Sequence, residues 1–415
     1  MAQDPIKLLH TADLHLDSPL KSLALKDRAL RDRVATASRT ALTRIADFAI
    51  DEGVAALLIA GDLFDGTQRS GKTAAFLAGV FDRLGAAGIR VYAIRGNHDA
   101  ESPAAGALDA PANVHFFDGR GGTQELPGTG IHIHGVSFRA RQAPDSLLPK
   151  FAAPVPGAVN IGLLHTSLTG YSGHDPYAPC SVADLRAHGF DYWALGHVHK
   201  RAVHSETPFV VMPGIPQGRD IGEAGPKSAT LINVTEGGLT IAEIATSAVE
   251  FRQSDCDVTG AEDAEALRAV LRAHLQDEAR ATVSDSAILR LSLTGTTPLA
   301  WAIRRDADFW DAVARDLAEE TGQLWIEQLD LAVAPETAGS DTGAAAELDT
   351  LMQQIRLEDG FRAEAVELLT QVLSLMPADR RRDLATNEAA QAALADDLAA
   401  RGATELAARL RGAGS

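Results

Sequence analysis

At 415 residues the chain is longer than most single domains, so we expect two or three domains, the first large enough for a complete α/β core. Its 38 basic and 56 acidic residues give a formal net charge of -18, the reverse of the balance in most free-standing nucleic-acid binders. Two distant cysteines, Cys180 and Cys256, favour a cytoplasmic protein over a secreted one, and no signal peptide or bilayer-length apolar run is apparent, so no membrane association is expected.

The first predicted domain covers residues 1–247 and alternates short apolar runs with helical patterns, which is typical of layered α/β structure. Leu42, Ile45 and Ala49 share one face of a helix, and Thr73–Leu84 predicts a second helix. Lys227–Ser247 predicts a closing hairpin. The apolar runs predict strands at Ile6–Leu9, Ala55–Ala60, Ile89–Ile94, Ile131–Phe138, Asn160–Leu164, Tyr192–Leu195 and Phe209–Met212.

A smaller α+β domain is predicted for residues 248–333, in the order strand, helix, strand, helix, strand. Leu289 and Leu293 belong to its middle strand, where apolar and polar residues alternate. Its helices are predicted at Glu262–Gln276 and Trp301–Glu320.

The remaining residues are predicted to form a linker over 334–343 and a helical tail over 344–415. The linker is rich in polar and helix-breaking residues. In the tail, Leu348, Leu351 and Ile355 fall on one helix face, which a short helix cannot bury alone.

Five short motifs follow predicted strand ends in the first domain. They are Asp13-Leu14-His15, Gly61-Asp62-Leu63-Phe64-Asp65, Gly96-Asn97-His98-Asp99, His165 and Gly196-His197-Val198-His199. Because ligands of open α/β sheets collect beyond the carboxyl ends of strands, we expect these loops to converge. Their oxygen and nitrogen donors, without a thiolate, suit Mn²⁺, Fe²⁺ or Zn²⁺.

Each motif alone is more simply explained as a turn or a helix cap. The five together, in this order and each after a strand, predict a metal site. In that combination the chain resembles the calcineurin-like metallophosphoesterase superfamily, and the resemblance implies an α/β fold with a layered β-sandwich core flanked by helices. It covers residues 6 to 247.

The resemblance also implies two divalent metal ions, with Mn²⁺ preferred. One ion would be held by Asp13, His15, Asp62 and His199, and the other by Asp62, Asn97, His165 and His197. Asp62 would thereby bridge two cations at the spacing of roughly 3.5 to 4 Å that such pairs adopt. No substrate-binding residue is assigned.

His98 is expected to be catalytic and not a ligand, because the equivalent histidine of the family faces the phosphate, where it stabilises the transition state or protonates the leaving oxygen. Its neighbour Asp99 has two competing interpretations, orientation of the imidazole or capping of the turn.

Further stretches are similar to bacterial DNA repair exonucleases of the SbcD and YhaO type. The protein phosphatases of the superfamily are disfavoured because Gly66 follows Asp65 and Asp99 follows His98. The stretches that carry the similarity are Leu9–Pro19, Gly170–Pro179, Asp191–His199 and Pro213–Arg219. Ile215 and Asp220 depart from the polar or basic residues expected in a loop that faces nucleic acid.

This resemblance implies a metal-dependent DNA nuclease that hydrolyses phosphodiester bonds in repair or end processing, with a small capping domain over residues 248–333. The partners it implies are DNA, a second copy of the chain and an SMC-like ATPase of the SbcC or YhaN type that meets the helical tail. Dimer contacts are expected near Leu77–Leu84 or Pro103–Leu108. Two alternatives stay open: a phosphodiesterase or phosphatase for small nucleotides, and a non-enzymatic DNA-end scaffold.

Overall fold

The computed structural model describes residues 4–18, 28–65, 71–100, 109–168, 177–335, 344–376, 381, 384 and 387–412. The chain divides into two compact units. One comprises Met1–Gln253, Ala279–Leu289 and Gln323–Glu327, and the other Ser254–Glu278, Arg290–Gly322 and Gln328–Ser415. Among the described residues, no helix is both long and apolar enough to span a bilayer.

The first unit contains two six-stranded sheets. The first sheet consists of β1 (Ile6–Thr11), β2 (Ala56–Ala60), β3 (Arg90–Ile94), β4 (Val114–Phe116), β11 (Ser228–Thr235) and β12 (Gly238–Ala245). Its order is β12-β11-β1-β2-β3-β4, with β1 to β4 parallel and the β11–β12 hairpin antiparallel to β1.

The second sheet consists of β5 (Gly122–Leu126), β6 (Ile131–Val136), β7 (Val159–His165), β8 (Tyr192–Gly196), β9 (Ala202–Glu206) and β10 (Phe209–Met212). Its order is β5-β6-β7-β8-β10-β9, in which β6, β7, β8 and β10 are parallel. The strands β4, β5 and β9 were not expected from the sequence, because they are short or polar and carry no apolar run.

The two sheets pack face to face around one apolar core. Leu58 and Ile94 of the first sheet lie in the same buried cluster as Ile133, Leu163 and Tyr192 of the second. The predicted layered β-sandwich is therefore confirmed.

Helices cover the outer faces of both sheets. The helices α1 (Arg28–Asp51) and α2 (Gly71–Ala86) bury their apolar stripes against the first sheet, and α3 (Val182–His188) packs on the second. The apolar side chains of Leu77 and Leu84 are fully buried in this core, so these two side chains are not available for the dimer contact expected near them. The other expected dimer segment, Pro103–Leu108, lies outside the described residues.

The predicted α+β order after residue 248 is present, with one correction. A third sheet has the order β13-β14-β15, formed by β13 (Val249–Asp257), β14 (Ser286–Thr294) and β15 (Leu324–Leu331), and α4 (Ala264–Ala281) joins the first two strands. The single helix expected over Trp301–Glu320 is wrong. The chain turns at Asp306, whose φ and ψ of -106° and 38° are not helical, and this divides α5 (Ala300–Arg305) from α6 (Ala307–Glu319).

The tail is helical where the structure describes it. It forms α7 (Ala344–Ile355), α8 (Asp359–Ser374) and α9 (Glu388–Gly412), and α9 packs against α5, α7 and α8. Gly402 lies inside α9 and does not end a helix.

Candidate metal centre

The motif residues lie where strands of both sheets end. Asp13 follows β1, Asp62 follows β2 and Asn97 follows β3, so three of these residues come from the first sheet. From the second sheet, His165 is the last residue of β7, and His197 and His199 follow β8. Because parallel strands deliver their carboxyl ends to one edge, residues far apart in sequence meet there.

The donor atoms of these residues form overlapping groups. Asp13, His15 and His199 lie within 4.8 Å of one another, as do Asp13, Asp62 and His165. His15 Nε2 is 3.1 Å from His199 Nε2 and 3.8 Å from Asp62 Oδ2, whereas His165 Nε2 is 3.4 Å from the same carboxylate oxygen. Asp62 therefore faces one imidazole of each predicted cation site.

Asn97 and His197 complete the second group. The amide oxygen of Asn97 lies 3.0 Å from His165 Nε2 and 3.2 Å from His197 Nδ1. The structure thus brings together all seven residues that the sequence predicts as ligands. They are Asp13, His15, Asp62, Asn97, His165, His197 and His199.

The backbone at this centre is strained. Non-glycine residues rarely adopt a positive φ, at a cost of about 1–3 kcal/mol each, and such residues concentrate at functional sites. Asp13, His15, Asp62 and His197 have φ of 52°, 38°, 54° and 102°. All four residues follow strand ends, so the left-handed backbone conformations lie in the loops that carry the predicted ligands.

Glycines in the motifs allow the loops to approach closely. A Cβ on Gly196 would lie 2.1 Å from the carbonyl oxygen of Ala60, and one on Gly96 would lie 2.2 Å from Asp62 Oδ1. Any side chain at either position would displace a neighbouring ligand loop.

The electrostatics of the centre favour cations. Asp13 is fully buried and burial raises its pKa, because a carboxylate without a counter-charge is poorly solvated there. Burial also opposes ionisation of Asp62, but the His165 imidazole beside it outweighs this and holds the pKa of Asp62 below its usual range. Buried carboxylates, imidazoles and one amide oxygen are a donor set that fits two divalent cations of borderline hardness.

His98 is paired with Asp65, which the sequence did not identify. His98 Nδ1 is 3.5 Å from Asp65 Oδ1, and this carboxylate raises the pKa of His98. Ser18 Oγ donates a hydrogen bond of 3.0 Å to the other oxygen of Asp65 and so fixes the carboxylate. Asp65 is the last residue of the Gly61–Asp65 motif, from which the sequence predicts a role for Asp62 only.

Asp99 caps the loops, which decides between its two interpretations. Its carboxylate accepts backbone N–H groups of Leu63, Phe64 and Gly96 at 3.0 to 3.1 Å, and it is 2% exposed. Burial raises the pKa of Asp99, and these three backbone N–H groups oppose that effect. Asp99 therefore holds the Asp62 and Asn97 loops together, and orientation of His98 falls to Asp65.

A second carboxylate that the sequence did not suggest lies behind His199. Glu223 Oε1 is 2.6 Å from His199 Nδ1 and 2.8 Å from the Arg219 guanidinium. Burial opposes its ionisation, but His199 and Arg219 together hold the pKa of Glu223 well below its usual range. No motif spacing connects position 223 to the GHVH sequence, so only the folded chain shows this contact.

The two residues that depart from the family pattern have structural roles. Ile215 is 1% exposed, and the Asp220 side chain accepts a 2.8 Å hydrogen bond from the N–H of Gly222 and begins a 3-10 helix at Ile221–Glu223. Neither side chain needs to be basic to occupy its place.

A pocket of about 840 Å³ opens beside the centre. Asp62, His98 and His199 line it together with the basic residues Lys200, Arg201 and Lys227 and the acidic residues Glu223 and Glu243. Part of the lining is apolar, from Pro213, Ile215 and Pro226.

Comparison with known proteins gives matches along most of the chain. Residues 6–201 match the family model for calcineurin-like phosphoesterases, and residues 251–334 match the model for the middle domain of metallophosphoesterase YhaO. The uncharacterized metallophosphoesterase YhaO of Bacillus subtilis is 34% identical over 334 residues, which are 78% of this chain and 81% of that protein.

More distant matches are confined to part of the chain. The DNA double-strand break repair protein Mre11 of Saccharolobus solfataricus is 24% identical over 201 residues, 47% of this chain and 50% of that protein. A crystal structure of a dimetal phosphatase from Danio rerio is 13% identical, covers 59% of this chain and 99% of that one, and aligns with a TM-score of 0.39.

Proposed function

Because the chain belongs to the calcineurin-like metallophosphoesterases of the YhaO type, we propose that it is a metal-dependent nuclease that hydrolyses the phosphodiester bonds of DNA. The observation that carries the proposal is the pocket beside the candidate metal centre, which Lys200, Arg201 and Lys227 line together with Asp62, His197 and His199. Similarity to proteins named for DNA double-strand break repair supports DNA as the substrate class.

In the proposed site, Asp13, His15, Asp62 and His199 would hold one cation, and Asp62, Asn97, His165 and His197 would hold the other. We propose Mn²⁺ for both. When bound, divalent cations lower the pKa of a coordinated water and offset the charge of the phosphoryl oxygens. The ionised Asp62 carboxylate faces both groups and reduces the repulsion between two cations.

The proton for the leaving oxygen comes from His98. The Asp65 carboxylate, 3.5 Å from His98 Nδ1, raises the pKa of the imidazole and so favours the protonated form that a general acid requires. The backbone N–H of His98 donates a 2.9 Å hydrogen bond to Asp62 Oδ1, so the acid and the shared ligand are fixed relative to each other.

The basic residues of the pocket, Lys200, Arg201 and Lys227, bind the phosphates that flank the scissile bond. Lys200 is exposed and Lys227 is half-buried, and burial lowers the pKa of Lys227. Pro226, which is exposed, provides an apolar surface for a base or a sugar. Lys200 and Lys227 thereby supply cationic groups for a polyanion on a chain with a net charge of -18, while Arg201 pairs with Glu243 at 3.2 Å.

The test compares labelled DNA with bis-p-nitrophenyl phosphate and with mononucleotides, each with Mn²⁺ and with a chelator. We expect Mn²⁺-dependent cleavage of DNA. Hydrolysis of mononucleotides without cleavage of DNA would identify the chain as a small-nucleotide phosphoesterase, and hydrolysis of none would leave a scaffold role.

Two assembly proposals accompany this function. The helices of residues 344–415 dock an SMC-like ATPase of the SbcC or YhaN type, and the protein acts as a homodimer that places two sites on DNA ends. Exposed apolar side chains in the tail, among them Leu351, Leu368 and Leu375, support the first. Light scattering at micromolar concentration tests the second, and an active monomer would contradict it.

A further inference from the structure

The carboxylate of Glu223 lies directly behind one of the proposed ligands. His199 Nε2 faces His15 Nε2 across 3.1 Å, and on the other side of the ring His199 Nδ1 is 2.6 Å from Glu223 Oε1. Arg219 donates to both oxygens of Glu223, which therefore act as acceptors, so we assign the hydrogen in this short contact to His199 Nδ1, which donates it to Glu223. That tautomer leaves the lone pair of Nε2 directed toward the cation group.

Arg219 also lies near this ring and has to be reconciled with that tautomer. Its guanidinium nitrogen is 3.0 Å from His199 Nδ1 and 2.8 Å from Glu223 Oε1. A protonated Nδ1 cannot accept a hydrogen bond from Arg219, so the guanidinium donates to Glu223 instead. Arg219 lies close to the His199 ring because both groups donate to the same oxygen, Glu223 Oε1.

The surrounding backbone holds Glu223 in this orientation. The N–H of Arg219 donates to Glu223 Oε2 at 2.8 Å, so both carboxylate oxygens are engaged. The residue ends the 3-10 helix Ile221–Glu223, which Asp220 caps, and its side chain is 14% exposed. With both oxygens held by Arg219 and His199, Glu223 is kept from acting as a cation ligand itself.

We propose that Glu223 is a positioning residue that fixes the tautomer and ring orientation of His199 and so strengthens the cation group formed with Asp13 and His15. A carboxylate that accepts the second ring N–H of a metal-binding histidine raises the basicity of the ligand, and its loss costs about 10- to 100-fold in metal affinity. The inference rests on the proposed assignment of His199 as a ligand, and it is independent of the substrate.

The test is a calorimetric titration of the metal-free full chain with Mn²⁺, which resolves two binding events if the proposed centre is correct. Glu223→Gln keeps the shape of the side chain and an acceptor oxygen but loses the charge, and Glu223→Ala loses both. We expect one Mn²⁺ site to weaken by about 10- to 100-fold in Glu223→Ala and by less in Glu223→Gln, while the other site keeps its affinity.

Glu52→Gln is the matched control. Glu52 also makes a 2.6 Å ion pair, with Lys7 at the start of β1, and it is part of neither cation group. The control should bind both ions as the wild type does. Thermal unfolding of the metal-free variants provides the second readout, and a positioning role leaves their Tm close to that of the wild type.

Equal weakening of both sites together with a lower Tm would show a merely structural role and overturn the inference, as would unchanged affinity at both sites. If the wild type binds no Mn²⁺, the inference falls together with the proposed metal centre. A wild type that binds two ions and cuts no DNA overturns the nuclease proposal alone.

Discussion

At the scale of single residues, His98 separates catalysis from metal binding. Its imidazole faces Asp65 at 3.5 Å, and its donor atoms also lie near those of His15 and Asp62. We expect His98→Ala to retain both cations but to lose turnover by about 10²- to 10⁴-fold, the usual contribution of a positioned acid. Metal content by mass spectrometry and kcat for DNA cleavage check this, and loss of a cation would show that His98 is a ligand.

Asp62 should behave differently because both cation groups depend on it. Asp62→Asn removes the shared charge and places an amide beside His165 and His15. We expect fewer bound Mn²⁺ ions and no measurable hydrolysis. Asp47→Asn is the control, since Asp47 pairs with Arg83 on the surface and its side chain is 49% exposed. Full activity of Asp62→Asn would rule out the two-cation arrangement.

The sequence was informative about residues that follow strands and uninformative about those that reach the centre from elsewhere. Asp62 and His199 could be found because a strand end, a glycine and a donor residue stand together in a short motif, and His15 because it follows a strand end in Asp13-Leu14-His15. Glu223 could not, because its contact with His199 depends on a 3-10 turn that begins at Asp220. Glutamates are common on protein surfaces, and only the position of its loop beside His199 distinguishes Glu223 from the others.

At the scale of elements, glycine in the GHVH motif is a packing requirement. We expect Gly196→Ala to destabilise the protein by roughly 1–3 kcal/mol and to lower activity, because its Cβ would press on the end of β2 at Ala60. Gly79→Ala is the control. A Cβ there meets nothing within 4 Å in α2, so this variant should gain roughly 0.5–1 kcal/mol. Chemical denaturation of both variants measures the difference, and equal stabilities would contradict the packing argument.

Strands that contain a clear apolar run could be predicted from the sequence, and strands without one could not. The buried strands β1, β2 and β10 read directly as apolar runs. In contrast, β5 with the sequence GTQEL carries a single buried residue, Leu126, so no pattern in the sequence marked it. The helix break at Asp306 was missed because apolar residues continue on either side of it.

At the scale of the whole molecule, the tail presents apolar side chains that its own helices leave exposed. Leu351 and Ile355 lie one turn apart on α7 and are 49% and 38% exposed. We expect the double change Leu351→Glu and Ile355→Glu to weaken capture of the SMC-like ATPase by at least about 30-fold, the equivalent of one interface anchor of about 2 kcal/mol. Its Tm and DNA cleavage should match the wild type.

Point changes test docking better than truncation. Deleting the tail also removes the packing of α9 on α5, so instability of the shortened chain would not report on a partner. Val283→Glu is the control, because Val283 is an exposed apolar residue outside the tail. Unchanged capture by the α7 variant would contradict docking through this face.

The origin of the ligands in two different sheets has a consequence for the stability of the fold. Each proposed cation bonds to residues of both sheets, for example Asp13 after β1 and His199 after β8, so it acts as a cross-link between the halves of the sandwich. Binding to the native state alone adds RT ln(1 + [L]/Kd) to the free energy of unfolding, about 2.7 kcal/mol at a concentration of 100 Kd. We therefore expect the Tm to rise with Mn²⁺ concentration, and hydrogen exchange to slow at the carboxyl ends of β1, β2, β7 and β8 together. An inactive chain with its cations bound would resist unfolding as well as an active one, so the metal ions would serve the architecture independently of the chemistry.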